Sequence, residues 1–192
     1  MSGPGVIPSA PVSKHRLDRN DTALLVIDVQ ERLAAAMPEP ALSRFLNRTW
    51  AVIQGAKALG LPIVHTEQYP KGLGRTMPPI SALLPGQPVE KTQFSCCLDE
   101  VLRQLGERKR VLVTGMETHV CVFQTVRDLA ERGLTPYLCA DAVLSRAEED
   151  RRVGLELCRD AGAVVTTVEA ALFDLLGKAG TPEFKAVSQA VK

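Results

Sequence analysis

VLVTGMETHVCV, residues 111–122, decides the fold because it joins a buried strand to a helix. The apolar residues 111–113 predict the strand, Gly115 predicts a turn, and a helical pattern begins at Thr118. Cys121 is therefore placed near a helix N-terminus, where the macrodipole and unpaired backbone N–H groups favour negative charge. This position predicts a lowered pKa for the thiol and the chemistry of a nucleophile.

A strand, a helix and a second strand precede this stretch. Residues 23–27 are an apolar run that ends abruptly at Asp28, which is typical of a strand buried on both faces of a parallel sheet. Residues 42–59 have helical spacing up to Gly60, a glycine in the position of a C-cap. Residues 63–65 restart the chain as a strand, so the pattern predicts one βαβ unit.

Strands and helices continue to alternate along the rest of the chain. After an irregular stretch at 66–88, the pattern predicts a strand from Val89, a helix at 97–105, a strand at 110–113, a helix at 118–131, a strand at 135–139, a helix at 147–161, a strand at 164–166 and helices at 168–176 and 182–191. This order predicts a three-layer α/β/α fold with a central, mostly parallel sheet of about six strands in a Rossmann-like order. A loop as long as residues 66–88 predicts a lid or a binding loop.

Length and charge limit the classes of partner. The chain of 192 residues fits one domain, which we place at residues 18–192 after a flexible N-terminal tail at residues 1–17. The 23 basic and 22 acidic residues form no basic stripe with aromatics, so no nucleic acid partner is expected. No apolar run approaches the length of a bilayer span, and residues 1–13 lack the apolar segment of a secretory signal. We therefore expect a cytoplasmic protein without a membrane partner.

The five cysteines form an odd number in a chain too large to need disulfides for its stability. This predicts a reducing compartment. Cys96, Cys97, Cys139 and Cys158 are expected to be small apolar side chains in or beside the core. Cys121 is the exception because of its position at the strand-to-helix junction.

Three reactive side chains follow predicted strands: Asp28, Lys91 and Cys121. In open α/β sheets, ligands bind beyond the carboxyl ends of the strands. A carboxylate can accept a thiol proton, an ammonium group stabilises both anions, and a thiolate attacks carbonyl carbon. Taken singly, Asp28 reads as a helix cap, Lys91 as a solvated charge and Cys121 as a packed side chain, and only their combination predicts a catalytic site.

Three blocks of sequence resemble one family. DVQERL at residues 28–33, EKTQFS at 90–95 and GMETHVCV at 115–122 resemble the isochorismatase-like cysteine hydrolases, which include nicotinamidases and N-carbamoylsarcosine amidases. The resemblance covers about residues 22–166. Within the family, TEQYPKGLGRT at residues 66–76 is similar to the branch of isochorismatase domain-containing hydrolases.

The resemblance implies a role for each residue of the site. Asp28 is the base, Lys91 its electrostatic partner and Cys121 the nucleophile, which attacks a small amide or related carbonyl compound and forms a thioester. A cis peptide bond joins Met116 to Glu117, and the backbone N–H groups of Glu117 and Cys121 form an oxyanion hole. The resemblance also implies a homo-oligomer, a dimer, tetramer or larger assembly.

Further residues are candidates for the substrate pocket: Gln30, Tyr69, Leu73, Phe94 and Thr118. Gln30 lies beside the base and is expected either to orient substrate or to begin a helix. Tyr69, Leu73 and Phe94 are in loops that border the cleft, where aromatic side chains are equally expected to pack. Thr118 is expected to cap the helix of the nucleophile or to contact substrate.

No metal and no cofactor are expected. Nicotinamidases hold a metal ion with a carboxylate and several histidines after the second strand, whereas this segment has only His65, which also makes nicotinamide a poor substrate candidate. His119 lies two residues before Cys121 and points in a different direction on a helix, so a Cys-His dyad is not expected.

Three other functions remain open at this point. The chain is alternatively a catalytically idle module of this fold that binds a ligand or acts as an oligomeric scaffold. It is alternatively a vinyl ether hydrolase of the isochorismatase type. A third alternative is a flavodoxin-like protein whose Cys121 is oxidised for signalling.

Overall fold

Six parallel strands form the centre of the protein in the order β3-β2-β1-β4-β5-β6, which confirms the predicted three-layer fold and its Rossmann-like order. The computed structural model describes residues 13–192, and most of the predicted N-terminal tail, residues 1–12, lies outside the described residues. The strands are β1 (Thr22–Ile27), β2 (Ile63–Gln68), β3 (Val89–Lys91), β4 (Arg110–Met116), β5 (Thr135–Leu144) and β6 (Val164–Thr166).

Helices cover both faces of this sheet. They are α1 (Glu31–Ala34), α2 (Glu39–Leu59), α3 (Pro70–Leu73), α4 (Pro78–Ser81), α5 (Asp99–Leu105), α6 (Phe123–Glu131), α7 (Glu148–Asp160), α8 (Val168–Leu176) and α9 (Pro182–Ala190). A 3-10 turn, Arg19–Asp21, precedes β1, and a π-helical turn, Thr118–Val122, precedes α6. Gly60 ends α2 with φ +69°, which confirms the predicted C-cap.

The two faces bury separate hydrophobic clusters because side chains alternate along each strand. Leu24 and Val26 of β1 pack with α2, α8 and α9, whereas Leu25 and Ile27 pack with α5, α6 and α7. Every residue of β1 is buried, as predicted for a strand in the middle of a parallel sheet. The end of β1 is therefore held rigidly, which matters because Asp28 follows it.

Several predicted boundaries were wrong. Strand β2 continues to Gln68, and α3 and α4 interrupt the stretch that was expected to be irregular. Strand β5 continues to Leu144, well beyond its predicted end at residue 139. The sheet forms these longer strands through pairing with neighbours that are distant in sequence, such as Thr66 with Val89 and Val143 with Gly115.

The predicted turn at Gly115 was also wrong, because β4 continues through this residue to Met116. Gly115 has φ +139°, and a Cβ atom built there would lie 2.1 Å from the carbonyl oxygen of Ile27. Only glycine fits this approach of β4 to the end of β1. The glycine therefore brings the segment that carries Cys121 close to the segment that carries Asp28.

The packed part of the chain begins before residue 18. Leu17 is buried, and its backbone N–H donates to the Asp174 carboxylate at 2.6 Å. The Tyr137 hydroxyl donates to the carbonyl oxygens of Lys14 and Arg16. These contacts join residues 14–17 to α8 and β5, and the domain boundary at residue 18 stays a prediction.

Helix α8 covers the sheet with Leu172 and Leu175, both of which are buried in the cluster with α2. Its apolar residues thus have partners within the chain. Among residues 13–192, no helix combines the length and the apolar content that a membrane span requires.

Candidate active site

Asp28 lies directly after β1 with its side chain fully buried. Its φ is +49°, a left-handed conformation that aspartate adopts more readily than most residues. The Thr66 hydroxyl donates to Oδ1 at 2.7 Å, and the Lys91 ammonium donates to Oδ2 at 2.7 Å. Both carboxylate oxygens are thus paired, so this aspartate is not the helix cap that its position alone suggests.

Lys91 ends β3 and is equally buried, which excludes a solvated surface charge. Besides Asp28, its ammonium donates to Gln68 Oε1 at 2.7 Å and to the carbonyl oxygens of Gln93 and Phe94, both at 3.1 Å. Burial lowers the pKa of Lys91. The nearby Cys96, Asp28 and Cys121 together raise this pKa by more than burial lowers it, so it lies above the ordinary value. Lys91 is therefore a fixed positive charge.

Cys121 lies in the π-helical turn with its side chain buried, and only 5% of the residue is exposed. Burial raises the pKa of its thiol, the Asp28 carboxylate raises it further, and Lys91 opposes both effects without cancelling them. The predicted lowering of this pKa was wrong, because desolvation and a neighbouring carboxylate outweigh the helix dipole. The thiol is therefore neutral at rest and lies beside a carboxylate that can accept its proton.

The segment that holds Cys121 begins with a cis peptide bond between Met116 and Glu117, as the family resemblance implies. The carbonyl oxygen of Glu117 accepts from the N–H groups of Val120 and Val122 at 3.1 and 3.2 Å. Helix α7 packs closely on this turn, since a Cβ atom on Gly154 would lie 2.9 Å from the main chain of His119. The main chain around the thiol is thus held by the sheet and by α7.

Gln30 belongs to the frame of the site. Its amide nitrogen donates to the carbonyl oxygens of Gln68 and Gly74 at 3.0 and 2.7 Å, and its amide oxygen accepts from the Gln68 N–H at 2.7 Å. These bonds use both N–H groups of the amide, so the structure favours a scaffolding role over substrate contact. Gln30 immediately precedes α1 and makes no capping hydrogen bond.

The three loop candidates differ in exposure. Tyr69 and Phe94 are 54% and 52% exposed, and Leu73 is half-buried in α3. The main chains of the two aromatic residues contact Lys91, because its carbonyl oxygen accepts from the Tyr69 N–H at 2.7 Å and its ammonium donates to Phe94. Both loops are therefore fastened to Lys91, and the two rings are available for contact with a ligand.

Thr118 does not cap a helix. It lies inside the π-helical turn, its N–H donates to Ser145 Oγ at 3.1 Å, and its buried hydroxyl has no hydrogen-bond partner among residues 13–192. His119 Nδ1 lies 3.1 Å from the same Ser145 Oγ, and Nε2 lies 3.8 Å from Asp150 Oδ2. The imidazole thus faces groups other than the Cys121 thiol.

Two polar side chains of β2, His65 and Glu67, are buried. Burial lowers the pKa of His65, while the Glu67 carboxylate accepts three hydrogen bonds from Thr76 and Arg75. Among residues 13–192, no three His, Cys, Asp or Glu side chains are grouped to hold a metal ion.

Sequence reasoning missed three residues of the site: Thr66, Gln68 and Cys96. Thr66 bonds Asp28, Gln68 bonds Lys91, and Cys96 Sγ lies 3.4 Å from Thr66 Oγ1. Had β2 been predicted to continue through residue 68, the alternation of side chains would have placed Thr66 and Gln68 on one face. No local pattern distinguishes Cys96 from the other cysteines, all of which are free and buried.

Comparisons with known proteins identify the family of this chain. Residues 22–170 match the isochorismatase domain. The secreted isochorismatase effector Isc1 of Phytophthora sojae is 38% identical over 194 residues, covering 97% of this chain and 91% of that protein. Isochorismatase domain-containing protein 2 of Danio rerio is 35% identical over 181 residues, with 91% and 88% covered.

A solved structure, that of the MAR1 ribonuclease from Caenorhabditis elegans, superposes with a TM-score of 0.86 at 37% sequence identity over 92% of each chain. The match extends beyond the three sequence blocks of the site to nearly the whole described fold. It agrees with the six-stranded parallel sheet and its flanking helices.

Proposed function

Because the chain belongs to the isochorismatase family, we propose that it is a cysteine hydrolase of a small amide or related carbonyl compound. The observation that carries this proposal is the buried ion pair of Asp28 and Lys91 beside the Cys121 thiol. These groups supply a base, a fixed cation and a nucleophile, which is the set that amide cleavage through a thioester requires.

The first half of the reaction forms a thioester. Asp28 accepts the Cys121 proton while the sulfur attacks the carbonyl carbon, so no free thiolate has to accumulate beforehand. This order suits a thiol whose pKa is raised in the resting protein. Lys91 stays protonated throughout and balances whichever anion, carboxylate or thiolate, is present.

The second half releases the products. The backbone N–H groups of Glu117 and Cys121 bind the oxyanion of the tetrahedral intermediate, and Asp28 returns its proton to the leaving amine as the carbon–nitrogen bond breaks. Water, with Asp28 again as the base, then hydrolyses the thioester to a carboxylic acid and restores the thiol. The reaction thus consumes one amide and one water molecule and returns Cys121 and Asp28 to their starting forms.

Mass spectrometry of the intact protein with a panel of small amides tests this mechanism. The native protein is expected to gain the mass of an acyl group on Cys121 and to release the amine. The variant Cys121→Ala is expected to show no adduct and to lose hydrolysis by at least about 10³-fold, because it lacks the nucleophile. Cys97→Ala is the matched control, since Cys97 is another buried free cysteine, 8% exposed against 5% for Cys121.

Full hydrolysis by a folded Cys121→Ala variant would overturn the proposal. Turnover of isochorismate, added to the panel, with no hydrolysis of any amide and no adduct would favour vinyl ether hydrolysis. Tight ligand binding with no product would favour the idle binding module.

Ribonuclease activity is a second candidate, favoured by the similarity to the MAR1 ribonuclease of C. elegans. Against it stand the near-neutral charge of the chain and the 5% exposure of Cys121, which suit a small substrate better than a polynucleotide. Single-stranded RNA belongs in the same panel. Cleavage of RNA that is lost in Asp28→Asn would assign the site to phosphodiester chemistry.

A further inference from the structure

Each oxygen of the Asp28 carboxylate has its own buried donor. Lys91 bonds Oδ2, and the Thr66 hydroxyl bonds Oδ1, both at 2.7 Å. Thr66 is 1% exposed, so water does not compete for this bond. The orientation of the carboxylate toward Cys121 is therefore fixed from two sides, by a lysine on β3 and by a threonine on β2.

The contact between Thr66 and Cys96 has a defined donor. A threonine hydroxyl has one hydrogen and an ionised carboxylate only accepts, so the Thr66 hydrogen is committed to Asp28. In the 3.4 Å contact between Thr66 Oγ1 and Cys96 Sγ, the donor must then be the thiol. Burial and the Asp28 charge raise the pKa of Cys96 to about 12, which keeps this thiol protonated.

Cys96 also reaches the nucleophile through a second threonine. Its backbone N–H donates to Thr125 Oγ1 at 2.8 Å, and the Thr125 hydroxyl donates to the carbonyl oxygen of Cys121 at 2.6 Å. Each of the two threonine hydroxyls thus accepts from Cys96 and donates to a catalytic element. Among residues 13–192, Cys96 is the one residue bonded to both of these hydroxyls.

We propose that Thr66 and Cys96 are positioning residues, which hold the base through the chain Cys96–Thr66–Asp28 and the nucleophile through Cys96–Thr125–Cys121. This inference rests on the proposed hydrolase function, since it assigns how the base and the nucleophile of that reaction are aligned. Thr66 acts through its bond to the Asp28 carboxylate, and Cys96 acts through Thr66 and Thr125.

The chain of donors has a consequence for pH dependence. Among the described residues, the titratable groups that face Asp28 are Lys91 from β3, Cys96 from the loop after β3 and Cys121 from the π-helical turn. Lys91 keeps its charge and the Cys96 thiol stays neutral near neutral pH. Removing the Thr66 hydroxyl deprives the ionised carboxylate of one of its two side-chain donors.

The rate of Cys121 alkylation by iodoacetamide against pH tests this without a known substrate. In Thr66→Val, the acid limb of the profile is expected to move upward by about one pH unit, the size of a lost hydrogen bond to a charged group. Thr66→Ser restores the hydroxyl and is expected to return the limb toward the native position. Peptide mapping identifies which cysteine is alkylated, because Cys97 is 8% exposed and can also react.

Two further variants separate positioning from general damage. Thr125→Val is expected to lower the alkylation rate at every pH without moving the acid limb, because it loosens the nucleophile and leaves the base intact. If Thr66→Val does not fold, two variants of Cys96 replace it, because Cys96 donates to the Thr66 hydroxyl. Cys96→Ala removes this donor and is expected to move the acid limb by less than Thr66→Val does. Cys96→Ser keeps a donor and is expected to leave the limb in place.

The variant Asp28→Asn separates the positioning role of Thr66 from the proposed hydrolase function. If Asp28→Asn abolishes the acid limb while folded Thr66→Val leaves it unmoved, the positioning role is overturned and the hydrolase proposal stands. If Asp28→Asn leaves the profile unchanged as well, Asp28 is not the base and the proposed function itself fails.

Discussion

At the level of single residues, the chemistry of the site follows from burial. Asp28 and Lys91 have fully buried side chains 2.7 Å apart, and the thiol of Cys121 lies beside them with a raised pKa. A buried charge is tolerated only when it is paired and hydrogen-bonded, so each of the two ions depends on the other. The pair supplies the base and the cation of the proposed reaction, and the loss of either partner is expected to destabilise the fold.

Loss of Lys91 exposes this dependence. Lys91→Met keeps the length of the side chain but leaves the Asp28 carboxylate without its cation, and we expect about 3 kcal/mol less free energy of unfolding. Asp28→Asn/Lys91→Met removes both charges and is expected to cost less than the sum of the two single variants. Urea unfolding of the four proteins measures this coupling, and strictly additive losses would contradict it.

At the level of elements, β2 and the chain that follows it are fastened together by Glu67. Its carboxylate is 3% exposed and accepts from the Thr76 N–H at 2.6 Å, from the Thr76 hydroxyl at 2.8 Å and from Arg75 at 2.9 Å. Burial raises the pKa of Glu67. The bonds from Thr76 and Arg75 together lower this pKa by more than burial raises it, so it lies below the ordinary 4.5. The segment after α3 is thus tied to the carboxyl end of β2, beside the candidate site.

This attachment should weaken in acid. A carboxyl group whose pKa is lowered on folding adds stability above its unfolded pKa, and that contribution disappears as pH falls through the folded pKa. Glu67→Gln is expected to cost about 2 kcal/mol at neutral pH, with the difference from the native protein shrinking below pH 4.5. Unfolding in urea at several pH values measures this difference.

Glu90→Gln is the matched control for that experiment. Glu90 bonds the same Arg75 but is 54% exposed, and exposed pairs contribute little to stability. A loss as large as that of Glu67→Gln would show that Arg75, and not burial of the carboxylate, holds the segment.

At the level of the whole molecule, one sheet joins two hydrophobic clusters, and the site lies at the carboxyl ends of β1 and β3. The loops that carry the candidate site lie on both sides of β1 in the sheet. One follows β3, on one side of β1, and the other follows β4, on the opposite side. This is the position at which open α/β sheets bind ligands. The family fold thus brings these loops together, and the side chains supply their chemistry.

Assembly remains a prediction at this scale. We expect a homo-oligomer, measured by sedimentation equilibrium as a multiple of the 20.8 kDa chain. Trp50 on α2 and Phe173 on α8 are 41% and 39% exposed, and such exposed aromatic side chains are available for an interface. A mass of 20.8 kDa at all protein concentrations would contradict the prediction.

Localisation also remains a prediction. The cysteine content favours a reducing compartment, while one relative from Phytophthora sojae is named as a secreted effector. Fractionation of the source cells decides between the two.

The sequence by itself determined the fold class, the strand order and the candidate residues of the site. Periodicity and glycine stops are local properties, so β6 and α8 have the bounds that the pattern predicts. Asp28, Lys91 and Cys121 were identified because each follows a strand, and the ends of parallel strands meet at one edge of the sheet.

Only the tertiary structure decided how these residues behave. The extension of β2 to Gln68 depends on its pairing with β3, the commitment of Gln30 to backbone groups depends on the loop at Gly74, and the raised pKa of Cys121 depends on burial beside Asp28. Each is a contact between segments far apart in sequence. Local pattern carries no information about desolvation or about the donors that a distant strand presents, and these two quantities set the charge and orientation of every group in the site.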